Sequence, residues 1–70
     1  MSVKPGRYRH YKGGEYEVLF LATHSETEES LVVYRPLYGD RGYWARPLDM
    51  FCEQVEVEGK LRPRFAPLRD

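Results

Sequence analysis

The stretch YRHYKGGEYEVLF, residues 8–20, decides the fold because two alternating segments flank a pair of glycines. Alternation of apolar and charged residues is typical of a strand with one buried face. Glycine accepts the positive φ angles of a tight turn, so Gly13 and Gly14 predict a two-residue hairpin loop. In this hairpin the tyrosines face the core and His10 faces solvent. The predicted opposite pairs are Lys12 with Glu15, Tyr11 with Tyr16, His10 with Glu17, and Arg9 with Val18.

The rest of the chain repeats short strand patterns at intervals of roughly 8–12 residues, which is typical of a small barrel or sandwich. Pro47 lacks a backbone donor, and PLDMF (residues 47–51) therefore suits one short helical turn. VEVEGKL (residues 55–61) predicts a last hairpin with a three-residue loop, in which Glu56 faces Lys60 and Val55 faces Leu61. The predicted strands lie near residues 6–12, 15–24, 30–36, 42–47, 53–57 and 61–66.

The segment VLFLATH, residues 18–24, is apolar on both faces, as expected for a strand in a closed or strongly bent sheet. We therefore expect the strands to close around Val18, Phe20 and Val33. Residues 1–70 are predicted to form a single domain, with residues 1–4 and 67–70 frayed at its ends.

Composition limits the class of protein. A core of this size supplies only roughly 3–5 kcal/mol, so a homodimer is neither required nor excluded. The one cysteine, Cys52, allows no internal disulfide and fits a reducing compartment. The first residues contain no apolar run typical of a secretory signal, and the longest apolar stretch is far shorter than the roughly 20 residues that cross a bilayer. We expect a cytoplasmic protein that does not enter a membrane.

Several blocks of the sequence occur in a familiar order: KPGRYRHYKGGEYEV, VYRPLY, WARPLDMF and RF. Together they resemble a bacterial family of domains of unknown function, the one numbered sixteen fifty-three, from about Lys4 to Leu68. The resemblance implies an all-β fold, a small SH3-like barrel of five to six short antiparallel strands with one short helical turn before the penultimate strand. It implies no activity, cofactor or partner.

The densest group of potential contact residues is YRPLYGDRGYWARP, residues 34–47. Trp, Tyr and Arg dominate binding hot spots, although they also stack on one another inside folds. Extended proline-rich peptides bind in aromatic grooves of this kind, so we predict a protein or peptide as the partner. A cage for a quaternary cation, with Asp40 as counter-charge, is a less favoured use. The predicted contact residues are Tyr34, Tyr38, Arg41, Trp44 and Arg46.

Nucleic acid is the alternative partner, since aromatic rings and arginines can bind single-stranded RNA. The isoelectric point of about 6.7 argues against it, because nucleic-acid-binding domains usually exceed about 9. Arg62 and Arg64 can also serve as ion-pair partners of nearby glutamates. The residues predicted for this alternative are Arg7, Arg9, Arg62 and Arg64.

Catalysis and metal binding are disfavoured by the same sequence. The loop residues His24, Glu26, Glu28 and Glu29 offer one imidazole among solvated carboxylates. Cys52 follows Met-Phe, and a lone cysteine is usually a small buried apolar residue. No Ser-His-Asp arrangement is recognisable. We therefore predict a protein that is not an enzyme and that uses neither a metal ion nor a cofactor.

Overall fold

The structure, a computed structural model, describes residues 3–39 and 42–68. The all-β class is confirmed, and so is the helical turn directly after Pro47. The last predicted strand is divided at Arg64, so that three strands rather than two follow the helical turn. The described elements are β1 (Gly6–His10), β2 (Glu15–Thr23), β3 (Ser30–Pro36), β4 (Trp44–Pro47), α1 (Leu48–Phe51), β5 (Gln54–Val57), β6 (Lys60–Pro63) and β7 (Phe65–Pro67).

The strands form two antiparallel sheets. The larger has the order β4-β3-β2-β1-β7, and β5 pairs with β6 in a separate ribbon. The outer strands β4 and β7 do not pair with each other, so the sheet stays open rather than closing into a complete barrel. Arg64 joins the ribbon to the sheet, because its N–H donates to the Glu53 carbonyl and its own carbonyl accepts from the N–H of Tyr11, both at 2.9 Å.

The predicted register of the first hairpin is wrong. Tyr8 lies opposite Tyr16 and Arg9 opposite Glu15, because the loop contains three residues rather than two. The His10 N–H donates to the Gly14 carbonyl at 2.7 Å, and the Gly13 N–H donates to the His10 carbonyl at 2.7 Å. Gly13, with a φ of 106°, thus carries the left-handed position while Gly14 stays paired with β1.

This register changes the ion pairs. Glu15 is bound by Arg9 at 3.1 Å, and Glu17 is bound by Arg35 of β3 at 2.7 Å. The predicted pairs of Glu15 with Lys12 and of Glu17 with His10 are therefore replaced. His10 instead turns toward the aromatic core.

The register of the last hairpin is also wrong by one residue. Val55 faces Arg62 and Glu56 faces Leu61, around a two-residue loop of Glu58 and Gly59. Both loop residues have positive φ, 52° and 79°, as a type I′ turn requires. The three-residue prediction assigned the left-handed conformation to glycine alone, whereas here a glutamate adopts it as well.

The core lies between the larger sheet and α1. Phe51 of α1 stacks on Phe65 of β7 with ring centroids 4.2 Å apart and planes within 2° of parallel. The core cluster consists of the buried side chains of Tyr16, Val18, Val32, Tyr34, Phe51 and Phe65. Within the described ranges, no helix has the length and hydropathy needed to cross a membrane.

Val18 is buried as predicted, but Phe20 is not a core residue. A β-bulge between Val18 and Phe20 shifts the register against β3, so that Phe20 faces Val33 on the outer side of the sheet. Phe20 is consequently 55% exposed, and Val33 is half-buried. The period-two pattern could not predict this change, because one extra residue in a strand moves all later side chains to the other face.

Candidate functional site

Two half-exposed rings lie on a buried tyrosine at one side of the core. Trp44 begins β4, and its ring centroid is 6.0 Å from those of both Tyr16 and Tyr34. Tyr38, in the connection between β3 and β4, has its hydroxyl oxygen 2.6 Å from that of Tyr16. Tyr38 and Trp44 remain 51% and 45% exposed. They therefore offer ring faces to solvent while the buried tyrosines fix their positions.

Gly14 explains how Tyr38 can lie so close to the first hairpin. A Cβ atom at this position would be 3.1 Å from Cε1 of Tyr38 and 3.3 Å from Cε1 of Tyr16. Real side chains rarely tolerate such distances, so the two tyrosine rings use the space that glycine leaves. The second glycine of the hairpin thus serves ring packing rather than the turn.

Arg46 supplies the positive charge of this region. It lies on β4 opposite Val32, and its Nε donates to the Tyr34 hydroxyl at 3.2 Å. Its guanidinium carbon is 5.5 Å from the ring centroid of Phe65. Among the residues that the structure describes, no carboxylate forms an ion pair with Arg46. The Tyr34 hydroxyl and the Phe65 ring thus position the guanidinium of Arg46, but neither of them neutralises its positive charge.

His10 borders the same group of rings. Its imidazole meets the edge of Phe65 at a centroid distance of 4.9 Å and that of Tyr16 at 6.3 Å. Its Nδ1 accepts a hydrogen bond from the Lys12 N–H at 3.2 Å. Burial, followed by the charges of Arg46, Arg64 and Lys12, lowers the pKa of His10. The imidazole is therefore held in its neutral form.

Tyr16 also stays neutral. Burial, the hydrogen bond with Tyr38 and the proximity of further tyrosine hydroxyls raise the pKa of Tyr16 to about 12. With both ring groups uncharged, the charge near them comes from Arg46 together with Arg64 and Lys12. We call this region the ring surface: Tyr38, Trp44, Arg46 and His10, with Tyr16 beneath them.

The predicted contact residues divide into three groups. Tyr38, Trp44 and Arg46 lie together on the ring surface. Tyr34 is only 2% exposed and supports Arg46 from the core instead of contacting a ligand. Arg41 lies outside the described residues, as does Asp40, the proposed counter-charge of a cation cage.

Sequence reasoning missed the contribution of His10 and Tyr16. The predicted two-residue loop placed His10 on the solvent side and paired Tyr16 with Tyr11, whereas Tyr16 lies opposite Tyr8. The alternative signal was present in the sequence, because Gly13 alone can terminate a three-residue loop and leave Gly14 in the strand.

Three of the four arginines predicted for nucleic acid line two separate grooves, and Arg64 lines neither of them. Arg9 and Arg62 line a groove of about 340 Å³ between β1 and β6, together with Tyr11. Arg7 lines another groove, of about 320 Å³, beside the start of β1. Arg9 is paired with Glu15, and Arg64 with Glu53 at 3.1 Å. The basic side chains are thus dispersed, and the charges of Arg9 and Arg64 are already compensated by glutamates.

The other candidate reactive groups have structural contacts. The His24 Nδ1 accepts hydrogen bonds from the N–H groups of Glu26 and Thr27 at 3.1 and 3.3 Å, which shapes the loop between β2 and β3. Cys52 is half-buried, and its N–H donates to the Leu48 carbonyl at the end of α1. In the part of the chain that the structure describes, no group of three or more Cys, His, Asp or Glu side chains could hold a metal ion.

Comparison with known proteins identifies the family. A family model described as "Protein of unknown function (DUF1653)" matches residues 6–67. The chain belongs to the DUF1653 family. The resemblance seen in the sequence blocks is thereby confirmed. No curated protein gives a significant match.

A solved DUF1653 structure is similar over nearly the whole length. The crystal structure of a DUF1653 protein from Bordetella bronchiseptica is 42% identical in sequence, with a TM-score of 0.87. The alignment covers 96% of this chain and 88% of the Bordetella chain. The ring surface therefore belongs to a DUF1653 domain whose architecture resembles an experimentally determined one.

The ring surface of this DUF1653 domain combines exposed aromatic rings with one guanidinium group. Trp44 and Tyr38 offer ring faces for a proline or another apolar group. The guanidinium of Arg46 offers charged hydrogen-bond donors for a carboxylate or phosphate. An apolar group and an anion could thus be bound side by side.

Proposed function

We propose that this DUF1653 domain is a small, non-enzymatic binding module that holds an extended segment of a partner protein on the ring surface. The observation that carries the proposal is Arg46, whose guanidinium lies beside half-exposed rings without a carboxylate partner among the described residues. A charge that the fold itself does not neutralise is available to an anionic ligand.

The partner segment is expected to combine proline with an acidic residue. A proline ring would pack on Trp44, since extended proline-rich segments bind aromatic grooves with little loss of conformational entropy. The acidic side chain would then meet Arg46. The neutral state of Tyr16 is compatible with this arrangement, because a tyrosinate at this position would repel an anionic ligand.

A titration followed by backbone amide shifts tests the proposal. The probes are a proline-rich peptide with one glutamate and the same peptide with glutamine instead. We expect shifts at residues 10–16 and 38–46 with the acidic peptide and weaker binding of the neutral one. Hydrogen bonds to charged groups contribute about 1.5–3 kcal/mol, so Arg46→Gln should weaken binding about 10-fold or more.

The matched control is Tyr43→Ala. Tyr43 is an exposed ring that directly precedes β4, and continued alternation from Trp44 would direct it to the opposite face. Binding should survive this change and should be lost in Trp44→Ala. Equal losses in Tyr43→Ala and Trp44→Ala, or no preference between the two peptides, would disprove the assignment of the ring surface.

The groove between β1 and β6 supports single-stranded nucleic acid as a second candidate. Arg9, Arg62 and the half-exposed ring of Tyr11 line this groove. A uridine oligonucleotide should then shift the amides around it, with an affinity that falls steeply with salt and is reduced by Arg62→Gln. We rank this function second because the ion pair with Glu15 already compensates Arg9.

A further inference from the structure

Among the residues that the structure describes, the second half of β2 has a free edge. The β1 ladder ends where Gly6 faces Val18, and beyond the bulge at Leu19 residues 20–23 pair with β3 and with no other described strand. Gly6 has a φ of 139°, and Val3 packs against the core cluster. None of the described residues forms a backbone hydrogen bond with this edge. Within the described ranges, residues 19–23 therefore have no strand partner on this side.

The side chains of this segment are unusual for an exposed edge. Leu19–Thr23 reads LFLAT and contains no charge and no proline. Phe20 is exposed on the outer face of the sheet, and Leu21, opposite Val32, is 43% exposed on the other. Edge strands are usually protected by lysine, proline or inward charges. In this domain β4 and β7 follow that rule, since each ends in a proline.

We propose that the free edge pairs with the same edge of a second copy of this chain, antiparallel about a two-fold axis at Leu21. A closed, self-complementary contact of this kind is the commonest form of homodimer. The segment tolerates self-pairing because no like charges meet across it. The resulting opposite pairs are Leu19 with Thr23 of the second copy, Phe20 with Ala22, and Leu21 with Leu21.

Charge complementarity at the ends of this contact favours a second copy over an unrelated strand. Beyond Thr23 each chain continues into the loop that carries the exposed residues Glu26, Glu28 and Glu29. In the antiparallel arrangement that loop approaches the start of the other β1, at the groove lined by Lys4 and Arg7. The two-fold axis would thus produce two equivalent contacts, each between the acidic loop of one copy and the basic segment of the other.

Charge substitutions at the axis test the dimer. Leu21→Lys places two like charges opposite each other, and so does Leu21→Glu, so each variant alone should sediment as a monomer. An equimolar mixture should recover the dimer mass, as lysine then faces glutamate. Leu61→Lys is the matched control: Leu61 is a 68% exposed leucine on β6, and its variant should remain dimeric like the unsubstituted chain.

The unsubstituted chain supplies a measurement that does not depend on how the variants fold. On raising the protein concentration, amide exchange should slow at alternate residues of the segment 19–23 and stay constant on β4. The proposal is overturned if the chain sediments as a monomer at the concentrations of an NMR sample. The edge would then be available for pairing with a strand of another protein. A dimer that persists in Leu21→Lys, or that Leu61→Lys disrupts equally, also overturns the proposal.

Discussion

At the scale of single residues, His10 shows how much one loop position decides. The predicted two-residue loop would place the imidazole on the solvent side of the hairpin. The observed three-residue loop places it on the ring surface. There burial and the positive charges of Arg46, Arg64 and Lys12 disfavour its protonation. The imidazole thereby packs among aromatic rings instead of forming the predicted ion pair with Glu17.

This environment predicts a pH-dependent stability. The folded-state pKa of His10 lies below the usual 6.5, so the unfolded chain binds the proton first as the pH falls. The stabilisation from the neutral imidazole is thus complete above 6.5 and is lost as the pH drops from there toward the folded-state pKa. Urea unfolding at a series of pH values should reveal a decline that His10→Gln reduces.

The control for this measurement is His24→Gln, which removes the loop imidazole and leaves His10 in its place. This variant should keep the contribution of His10 to the pH dependence. An imidazole titration followed by NMR gives the same answer directly. A His10 midpoint at or above the value in the urea-unfolded chain would contradict the interpretation.

At the scale of elements, strand positions follow the sequence closely while registers do not. Every described strand overlaps a predicted one, with β6 and β7 sharing the last predicted strand, because alternation and turn residues are local properties. Both hairpin registers differ from prediction, as each depends on which residue adopts positive φ. Glu58 is the clearest case, since a glutamate at φ 52° is disfavoured by its own Cβ atom.

Substitution of Glu58 by a residue that favours positive φ should therefore stabilise the domain. Asn is favoured at the first position of a type I′ turn, so Glu58→Asn should raise the free energy of unfolding by about 0.5–1 kcal/mol. Glu58→Gln removes the same charge without the conformational preference and should give a smaller gain. Urea unfolding at one pH and salt concentration compares them. Equal gains from the two variants would attribute the effect to charge rather than to backbone conformation.

At the scale of the whole molecule, stability depends on a few aromatic side chains that connect distant parts of the chain. Phe51 lies on a single helical turn, yet it contacts Phe65 of β7 and the rings of Tyr8 and Tyr34. Since the sheet is open, α1 and these rings cover its core face. The backbone of Arg64 forms hydrogen bonds with Glu53, just before the ribbon, and with Tyr11 of the first hairpin, and thus connects these two parts of the chain.

Removal of Phe51 should therefore unfold the domain. Phe→Ala in a core costs about 3–5 kcal/mol, which is comparable with the whole stability expected of a chain of this size. Circular dichroism should show Phe51→Ala largely unfolded at room temperature. Met50→Ala is the control, because Met50 is the exposed neighbour on the same turn and should change stability by only about 0.5 kcal/mol. Cooperative unfolding of Phe51→Ala near the temperature of the unsubstituted chain would contradict this view of the core.

The sequence by itself determined the strands, the helical turn after Pro47, the family and the joint presence of Tyr38, Trp44 and Arg46 near one hairpin. These features depend on residues close together in the chain, whose alternation, turn chemistry and spacing act locally. Only the tertiary structure decided that Tyr34 is buried, that Phe20 is exposed and that His10 faces the rings. The exposure of Phe20 follows from a β-bulge, the orientation of His10 from the length of one loop, and the burial of Tyr34 from rings of distant segments. Local alternation cannot predict these features, because one extra residue in a loop or strand reverses which face a side chain occupies.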